Sequence, residues 1–292
     1  MQNVEGMTKP ETTTDCAIWS FVIRLLCRHS SFVLRHSATT LFVTTIIPLC
    51  SGSTASAVEV LEETVEQQYD VDADASLRVA NVDGSIRVYA TGAPRVLIQA
   101  IKKAYTRERL QGIVVDVKAA RNSVAITTSF PPRKNALSDR SGTVDYIIVV
   151  PQTARITELS LTNGELLVEG LRGGGATAHL VNGWIAGHNC FADLNLTVET
   201  GRLDVAFDWW ENRNFSIKAA STRGNLRALL PSDASVSLNA TALEGRVANG
   251  FETRKASPRD TVHSVSTVLG NGTGAAISLE ARRGNIRIEK TY

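Results

Sequence analysis

This sequence of 292 residues has few aromatic residues, few prolines and almost no net charge. Aromatics make up 6% of the chain, and 31 lysines and arginines stand against 29 aspartates and glutamates. Because the charges balance, the chain lacks the basic field with which proteins hold nucleic-acid backbones. Hydrophobic residues reach 43%, which excludes a wholly disordered chain, and 21 glycines against 8 prolines favour a turn-rich β protein.

The first 57 residues have the composition of an export signal. Arginines precede a short apolar run at Leu41 to Leu49, and the small residues Ala55-Ser56-Ala57 follow it. The run is too short to span a bilayer stably, so we predict a signal peptide and N-terminal extension at residues 1–57, cleaved after Ala57. An uncleaved segment, or a true start further downstream, remains an alternative.

Cysteine is also scarce, and cleavage after Ala57 would leave only Cys190. No internal disulfide could then form, so an exported fold would depend on its core or on repeats for stability. Cleavage would also leave 27 basic against 26 acidic residues, which argues against a polybasic membrane surface.

Alternating apolar and polar residues predict strands along residues 58–150, the N-terminal β region of the domain. One short helix is predicted at Tyr105 to Gln111, with Thr106 as its N-cap. An irregular loop is predicted from Pro131 to Gly142, before a strand at Val144 to Val150.

Residues 151–292 carry a recurring glycine followed by alternating apolar positions, which predicts glycine-turn β repeats of the same domain. The recurring glycines are Gly164, Gly183, Gly201, Gly224, Gly245 and Gly284. They are separated by 19, 18, 23, 21 and 39 residues, and the last interval predicts one repeat that has lost its glycine. Each unit is too small to bury its own apolar face, so we expect the units to stack.

Two all-β architectures fit such a unit. In a β-solenoid, which resembles a β-helix with short strands, each glycine occupies a corner and the apolar residues after it form an inward column. That column would contain Leu166, Ile185, Leu203, Leu226, Val247 and Ile286. In a β-sandwich each repeat is a hairpin, and the Asn-Gly pairs at 163, 182 and 249 would form type I′ turns. The steady period without a long connection favours the solenoid.

Several short motifs occur in a fixed order along the chain. They are Leu77-Arg78-Val79, Gly84-Ser85-Ile86-Arg87-Val88, Val144-Asp145-Tyr146, the glycine repeats, Leu269-Gly270-Asn271-Gly272 and Arg283-Gly284-Asn285-Ile286. This series resembles the bacterial putative-adhesin domain family, from about Thr64 to Lys290. The resemblance implies an exported, repetitive β domain at the cell envelope, and it carries over no catalytic residue. The sequence departs from the pattern at Asn249, which predicts a distorted repeat there.

Residues that could do chemistry are few. His188 and Cys190 are two positions apart, so one strand face would present both, with His179 as a third zinc ligand. Three ligands in no known pattern lack a fourth, so we predict no metal site and no cofactor. The glycine clusters at 170–175 and 270–274 precede strands instead of helices, which favours corners over phosphate loops.

Tryptophan is concentrated in one stretch, with Trp209 and Trp210 between Phe207 and Phe215 and with Trp184 in the preceding repeat. Neighbouring residues of a strand point to opposite faces, so both tryptophans can be core only if the strand bends. An exposed indole is a flat apolar platform that suits stacking on a sugar ring. We therefore predict partner or glycan contacts at Trp184, Trp209 and Trp210; the alternative is that they cover a loop or cap the stack.

These patterns predict an exported, non-catalytic structural or interaction module, adhesin-like, at the bacterial cell envelope. Its location would be periplasmic, cell-surface or extracellular, and its partner an envelope glycan or protein. One alternative is an envelope-stress or regulatory component that binds a membrane protein. A second is a glycan-active enzyme on the same scaffold, with Asp204 and Asp208 as its carboxylates.

Overall fold

The computed structural model describes residues 59–132, 142–251, 263–272 and 274–291. The predicted signal segment at residues 1–57 lies outside these residues. Among the residues described, no helix is both long enough and apolar enough to cross a membrane.

Fifteen strands and one short helix form in the described part of the chain, so the all-β prediction is confirmed. The strands are β1 (Leu61–Asp70), β2 (Ser76–Thr91), β3 (Arg95–Ala104), β4 (Val114–Ala120), β5 (Ser123–Ser129), β6 (Thr143–Pro151), β7 (Arg155–Glu169), β8 (Ala176–His188), β9 (Leu194–Ala206), β10 (Phe215–Pro231), β11 (Val236–Glu244), β12 (Val247–Asn249), β13 (Ser264–Leu269), β14 (Ala275–Arg283) and β15 (Ile286–Thr291). Together they make one large mixed sheet that does not close on itself.

The helix α1 (Arg107–Gly112) forms where the sequence predicts it. The Thr106 hydroxyl accepts a hydrogen bond from the backbone N–H of Arg109 at 3.2 Å, which satisfies one of the unpaired amides of the first turn. The predicted strand at Val144 to Val150 is likewise confirmed as β6.

Parallel pairing dominates the middle of the sheet. Strands β2, β7, β8, β9 and β10 pair in that order, and each is parallel to the next. Strand β10 then pairs with β14 along its first half and with β15 along its second half. Strands β11 and β12 pair with the far side of β14 and β15, so the C-terminal strands enter the stack out of chain order.

Antiparallel strands flank this parallel stack. Strands β5 and β6 pair in parallel with the two halves of β2, and β4 and β3 then pair antiparallel with β5 and β6. Strand β1 pairs antiparallel with β3, and at the other end β13 pairs antiparallel with β11. The parallel strands therefore lie between antiparallel neighbours.

A column of seven glycines runs across the parallel strands at the bend of each one. Its members in spatial order are Gly84, Gly164, Gly183, Gly201, Gly224, Gly284 and Gly245. The φ angles rise from 127° at Gly84 to 152° at Gly284, a region that side chains rarely adopt. A Cβ on Gly224 would lie 1.6 Å from the carbonyl oxygen of Gly201, so only glycine fits.

The residue two positions after each column glycine points into the core. The predicted inward residues Leu166, Ile185, Leu203, Leu226, Val247 and Ile286 are all buried, and Ile86 of β2 joins them. Register places these side chains against one another on adjacent strands. Burial of this column, at about 25 cal/mol per Å² of apolar surface, is the main force that holds the strands together.

The predicted glycine-free repeat between Gly245 and Gly284 stays a prediction, because residues 252–262 and 273 of this interval lie outside the described residues. Of the strands described in this interval, β12 pairs in parallel with β15 and β14 pairs in parallel with β10 and β11, whereas β13 pairs antiparallel with β11. The 39-residue spacing includes β13, which pairs antiparallel with β11, and β14, which lies between β10 and β11.

The Asn-Gly pairs at 163 and 182 do not form the turns that the hairpin alternative requires. Asn163 and Asn182 lie inside β7 and β8, where their side chains form a ladder along the bend. The Asn182 amide donates to Oδ1 of Asn163 at 3.0 Å, and the Asn163 amide donates to Oδ1 of Asp83 at 2.7 Å. At the third pair, strand β12 ends at Asn249 after three residues, as expected for a distorted unit.

Candidate functional site

An aromatic cluster of Phe191, Phe207, Trp210 and Phe215 lies where the chain turns after β8 and β9. The ring centroids of neighbouring members are 5.1 to 6.2 Å apart, and edge and tilted contacts prevail. Strands β8 and β9 end at His188 and Ala206, so the turns that follow them are long enough to carry large side chains. The cluster therefore fills the turn side of the stack with rings.

Asn189 connects two adjacent turns. It has a φ of 50°, a left-handed conformation that asparagine tolerates better than most residues. Its Oδ1 accepts from the backbone N–H of Asp208 at 2.8 Å, and its amide donates to the Asp208 carboxylate at 3.1 Å. The turn at 207–214 is thereby held against the turn at 189–193.

Trp209 is the exposed member of the tryptophan pair, with 45% of its surface accessible. Its indole N–H donates to Glu211 at 3.1 Å, and its ring centroid is 6.3 Å from that of Phe191. Glu211 also accepts from the Arg172 guanidinium at 2.6 Å, and this hydrogen bond lowers the pKa of the Glu211 carboxyl. The indole face is thus held in place from its edge while it remains open to solvent.

Trp210 has a different environment. Its ring packs at 5.3 Å from Phe207 in the aromatic cluster, and its indole nitrogen is buried without a hydrogen-bond partner among the described residues. The sequence treats both tryptophans as residues of a strand, but they lie in the turn after β9, where they need not alternate. Trp210 supports the turn and Trp209 faces outward.

Trp184 lies on β8, directly after the column glycine Gly183. Its indole N–H donates to the Asp204 carboxylate at 2.8 Å, and Arg202 donates to the same carboxylate at 2.8 Å through Nε. Asp204 is 5% exposed, so this group of three residues stabilises the outer face of β8 and β9. No ring contact in the described part of the chain joins Trp184 to the aromatic cluster, so the three tryptophans do not form one platform.

His188 lies between two carboxylates. Its Nδ1 is 3.3 Å from Glu169 and its Nε2 is 3.1 Å from Asp208, and the imidazole is 18% exposed. The hydrogen bond that His188 donates to Glu169 raises the pKa of His188 most, while burial acts in the opposite direction. The histidine therefore links the end of β7 to the turn at 207–214.

The three zinc candidates do not converge, and the expectation that His188 and Cys190 share one face is wrong. Cys190 is 1% exposed because the left-handed Asn189 turns the chain between them, and burial raises the pKa of its thiol to about 12. His179 contacts Thr197 at 3.0 Å on the outer face of β8. Within the described ranges, no group of three or more His, Cys, Asp or Glu side chains could hold a metal ion.

The two candidate carboxylates of the enzyme alternative also have separate partners. Asp204 is bound by Trp184 and Arg202 on the outer face of the strands, whereas Asp208 lies in the turn beside His188 and Asn189. Sequence spacing alone had left open a shared face for them. The sequence could not reveal that Arg172 fixes Glu211, the residue that binds Trp209, because Arg172 comes from a turn 39 residues earlier.

No known family profile and no curated protein matches this chain. Solved structures that are similar to it include a putative cell adhesion protein from Clostridium sporogenes, 14% identical, which covers 80% of this chain and all of its own length with a TM-score of 0.49. A putative adhesin from Bacteroides fragilis is 11% identical, covers 78% of this chain and 97% of its own, and has a TM-score of 0.28. A putative adhesin from Parabacteroides distasonis has the same identity and coverage and a TM-score of 0.22. These bacterial neighbours bear the adhesin name that the sequence resemblance gives.

Proposed function

We propose that this protein is an exported, non-catalytic interaction module of the bacterial cell envelope, adhesin-like in its role. The observation that carries the proposal is Trp209, an exposed indole on a turn fixed by side-chain contacts. A rigid aromatic surface binds a sugar ring or a partner side chain without a large cost in side-chain entropy. The adhesin names of the structural neighbours agree with this role.

We further propose that the parallel strands are coils of a β-solenoid, with the glycine column at one corner. The in-register glycines and the inward apolar column support this architecture over a β-sandwich. A stack of this kind presents its turns in a fixed row, so the contacts at successive turns keep constant distances.

The three predicted tryptophans take different roles in this proposal. Trp209 makes the main contact with the partner. Trp184 offers the part of its ring that remains accessible on β8, and Trp210 holds the turn from within the aromatic cluster. The partner is an envelope glycan or an envelope protein, and the module acts after export.

The test is co-sedimentation of the purified protein with insoluble cell-envelope material across a salt series. We expect saturable binding that survives high salt, where charge attraction is screened beyond a few ångströms. Trp209→Ala should weaken binding about tenfold, because an exposed stacking contact contributes on the order of 1 kcal/mol or more.

Tyr105→Ala is the matched control. Tyr105 is 48% exposed, as much as Trp209, but it lies beside α1 in a distant part of the chain, so its removal should leave binding unchanged. Trp184→Ala should produce a smaller loss than Trp209→Ala. An equal affinity of Trp209→Ala and wild type, or no saturable binding by the wild type, contradicts the proposal and favours a membrane-protein partner.

A further inference from the structure

A groove follows the first residues of β7, β8, β9 and β10, next to the turns that hold the aromatic cluster. It consists of two adjoining clefts of about 470 and 580 Å³, which share Arg155, Gly174, Gly175 and Asp193 in their walls. Clefts of this size can hold a small ligand or a few units of a polymer.

Two glycines line both clefts of this groove. Gly174 and Gly175 have φ angles of 62° and 77°, and a Cβ on Gly174 would lie 2.2 Å from the carbonyl oxygen of Ala154. Arg155 and Asp193 line both clefts together with these glycines. The cluster at 170–175, which the sequence indicates only as a corner, therefore also lines the groove.

The walls of the groove carry an excess of positive charge on a nearly neutral protein. The lining cations are Arg155, Arg172, Arg213 and Lys218, whereas Asp193 is the lining carboxylate. Arg172 is already bound to Glu211, and Arg213 donates to the carbonyl oxygen of Arg172 at 2.8 Å. Asp193 accepts from the backbone N–H of Ser216 at 2.8 Å.

Arg155 and Lys218 differ from the arginines that pair across the strands. Arg78 and Arg87, for example, contact Glu158 and Glu165 at 2.8 and 3.1 Å. Within the described residues, neither Arg155 nor Lys218 has a carboxylate within salt-bridge distance. These two cations are therefore available to an anion from outside the chain.

Neutral hydrogen-bonding groups lie between the two cations. Register places Thr177 beside Asn195 and Asn195 beside Lys218 on adjacent strands, so their outward side chains are about 4.8 Å apart. Thr157 lines the same cleft on the side of Arg155. Hydroxyl and amide groups at this spacing can donate to and accept from sugar hydroxyls.

Trp209 adjoins the turn end of the groove. Arg172 lines the groove and binds Glu211, which in turn accepts from the Trp209 indole. Phe191, another lining residue, has its ring 6.3 Å from that of Trp209. An extended ligand in the groove would reach the exposed indole at its end.

We propose that this groove binds an acidic polysaccharide whose sugars carry carboxylates. This inference rests on the proposed function and names the class of glycan. The planar Arg155 guanidinium donates two parallel hydrogen bonds to one carboxylate, and Lys218 binds a second carboxylate further along the polysaccharide. Thr177 and Asn195 bind the hydroxyls between the charged positions, and Trp209 stacks on a terminal ring.

The test uses polygalacturonate fragments and the same fragments with their carboxyls methyl-esterified, each titrated into the purified protein. We expect the acidic fragments to bind at least about tenfold more tightly than the esters at low salt. Arg155→Gln and Lys218→Gln should each remove most of this preference. The remaining affinity, due to stacking on Trp209, should depend little on salt.

Arg282→Gln is the matched control, because Arg282 is exposed on β14 and lies outside the groove. It should bind acidic fragments as the wild type does, and an unchanged melting temperature in all three variants shows that the fold persists. Equal binding of acidic and esterified fragments, or wild-type binding by Arg155→Gln and Lys218→Gln, overturns the inference. If Trp209→Ala still loses envelope binding in that case, the proposed function stands without it; if Trp209→Ala binds the envelope normally, the proposed function itself fails.

Discussion

His188 joins two parts of the stack that are far apart in sequence. Glu169 at the end of β7 and Asp208 in the turn at 207–214 contact its two ring nitrogens, and the Asn189 amide donates to the same oxygen of Asp208. Trp209 directly follows Asp208, so the position of the exposed indole depends on this histidine. At the scale of the residue, hydrogen bonds around this one imidazole therefore position the turn that carries Trp209.

The first prediction concerns pH. The contacts raise the pKa of His188 above its ordinary value of 6.5, so the protonated histidine stabilises the folded state. This contribution is complete below the ordinary pKa and disappears as the pH rises through the higher folded-state pKa. The free energy of unfolding, measured by denaturant titration, should therefore decrease across that pH range in the wild type.

His188→Gln and Glu169→Gln should both flatten this pH dependence, because one removes the titrating group and the other removes the hydrogen bond that shifts its pKa most. A wild-type slope in both variants would show that another group is responsible.

The second prediction concerns Cys190. Burial raises the pKa of its thiol to about 12, so roughly one thiol in ten thousand is ionised at pH 8. We expect maleimide labelling at Cys190, quantified by peptide mass spectrometry, to accelerate at least about 100-fold when urea unfolds the protein. Rapid labelling of the native protein would contradict the buried position.

At the scale of the element, the glycine column determines how each strand bends. The bend lets a strand continue its pairing on both sides of the corner, and it brings the carbonyl oxygen of one glycine against the Cα of the next. A side chain would meet backbone, which cannot move without separating the strands. The recurrence of glycine in the sequence therefore has a steric cause.

The third prediction tests this cause. Gly183→Ala places a Cβ 1.9 Å from the carbonyl oxygen of Gly164 at a φ of 135°, so we expect a loss of about 3 kcal/mol or more in the free energy of unfolding. Gly92→Ala is the matched control, since nothing lies within 4 Å of its Cβ. It should change stability by less than about 1 kcal/mol. Equal effects of the two substitutions in urea unfolding would refute the steric account.

The aromatic cluster gives a fourth prediction at this scale. Phe207 is 1% exposed, and its ring centroid lies 5.1 Å from that of Phe191 and 5.3 Å from that of Trp210. Phe207→Leu should retain the fold but loosen the turn, lowering stability by about 1 to 2 kcal/mol and envelope binding in parallel. Unaltered binding by this variant would indicate that the position of Trp209 does not depend on the cluster.

At the scale of the whole molecule, local patterns and long-range order differ in how well sequence predicts them. Period-two alternation predicted the strands, the N-cap Thr106 indicated the short helix, and the glycine spacing predicted the inward residues, because each signal depends on residues close together in the sequence. The insertion of β14 between β10 and β11 could not be predicted, since spacing along the chain does not specify which free strand edge a later segment pairs with. The division of the domain at residue 150 remains a prediction.

The candidate site was predictable only in part for the same reason. The sequence indicated an exposed tryptophan in the stretch from Phe207 to Phe215, and Trp209 is exposed. It grouped Trp184 with that residue, although Trp184 is bound to Asp204 on the outer face of β8. The groove was not visible in the sequence, because Arg155 and Lys218 come to line the same groove only when four strands are aligned.

The most direct test is amide hydrogen exchange of the purified protein with and without solubilised envelope glycan. We expect added protection at Gly173 to Gly175 and in the turn at 207–214, with little change elsewhere. Protection confined to the edge strands β1 and β13, or unchanged exchange at both turns under saturating glycan, would contradict it.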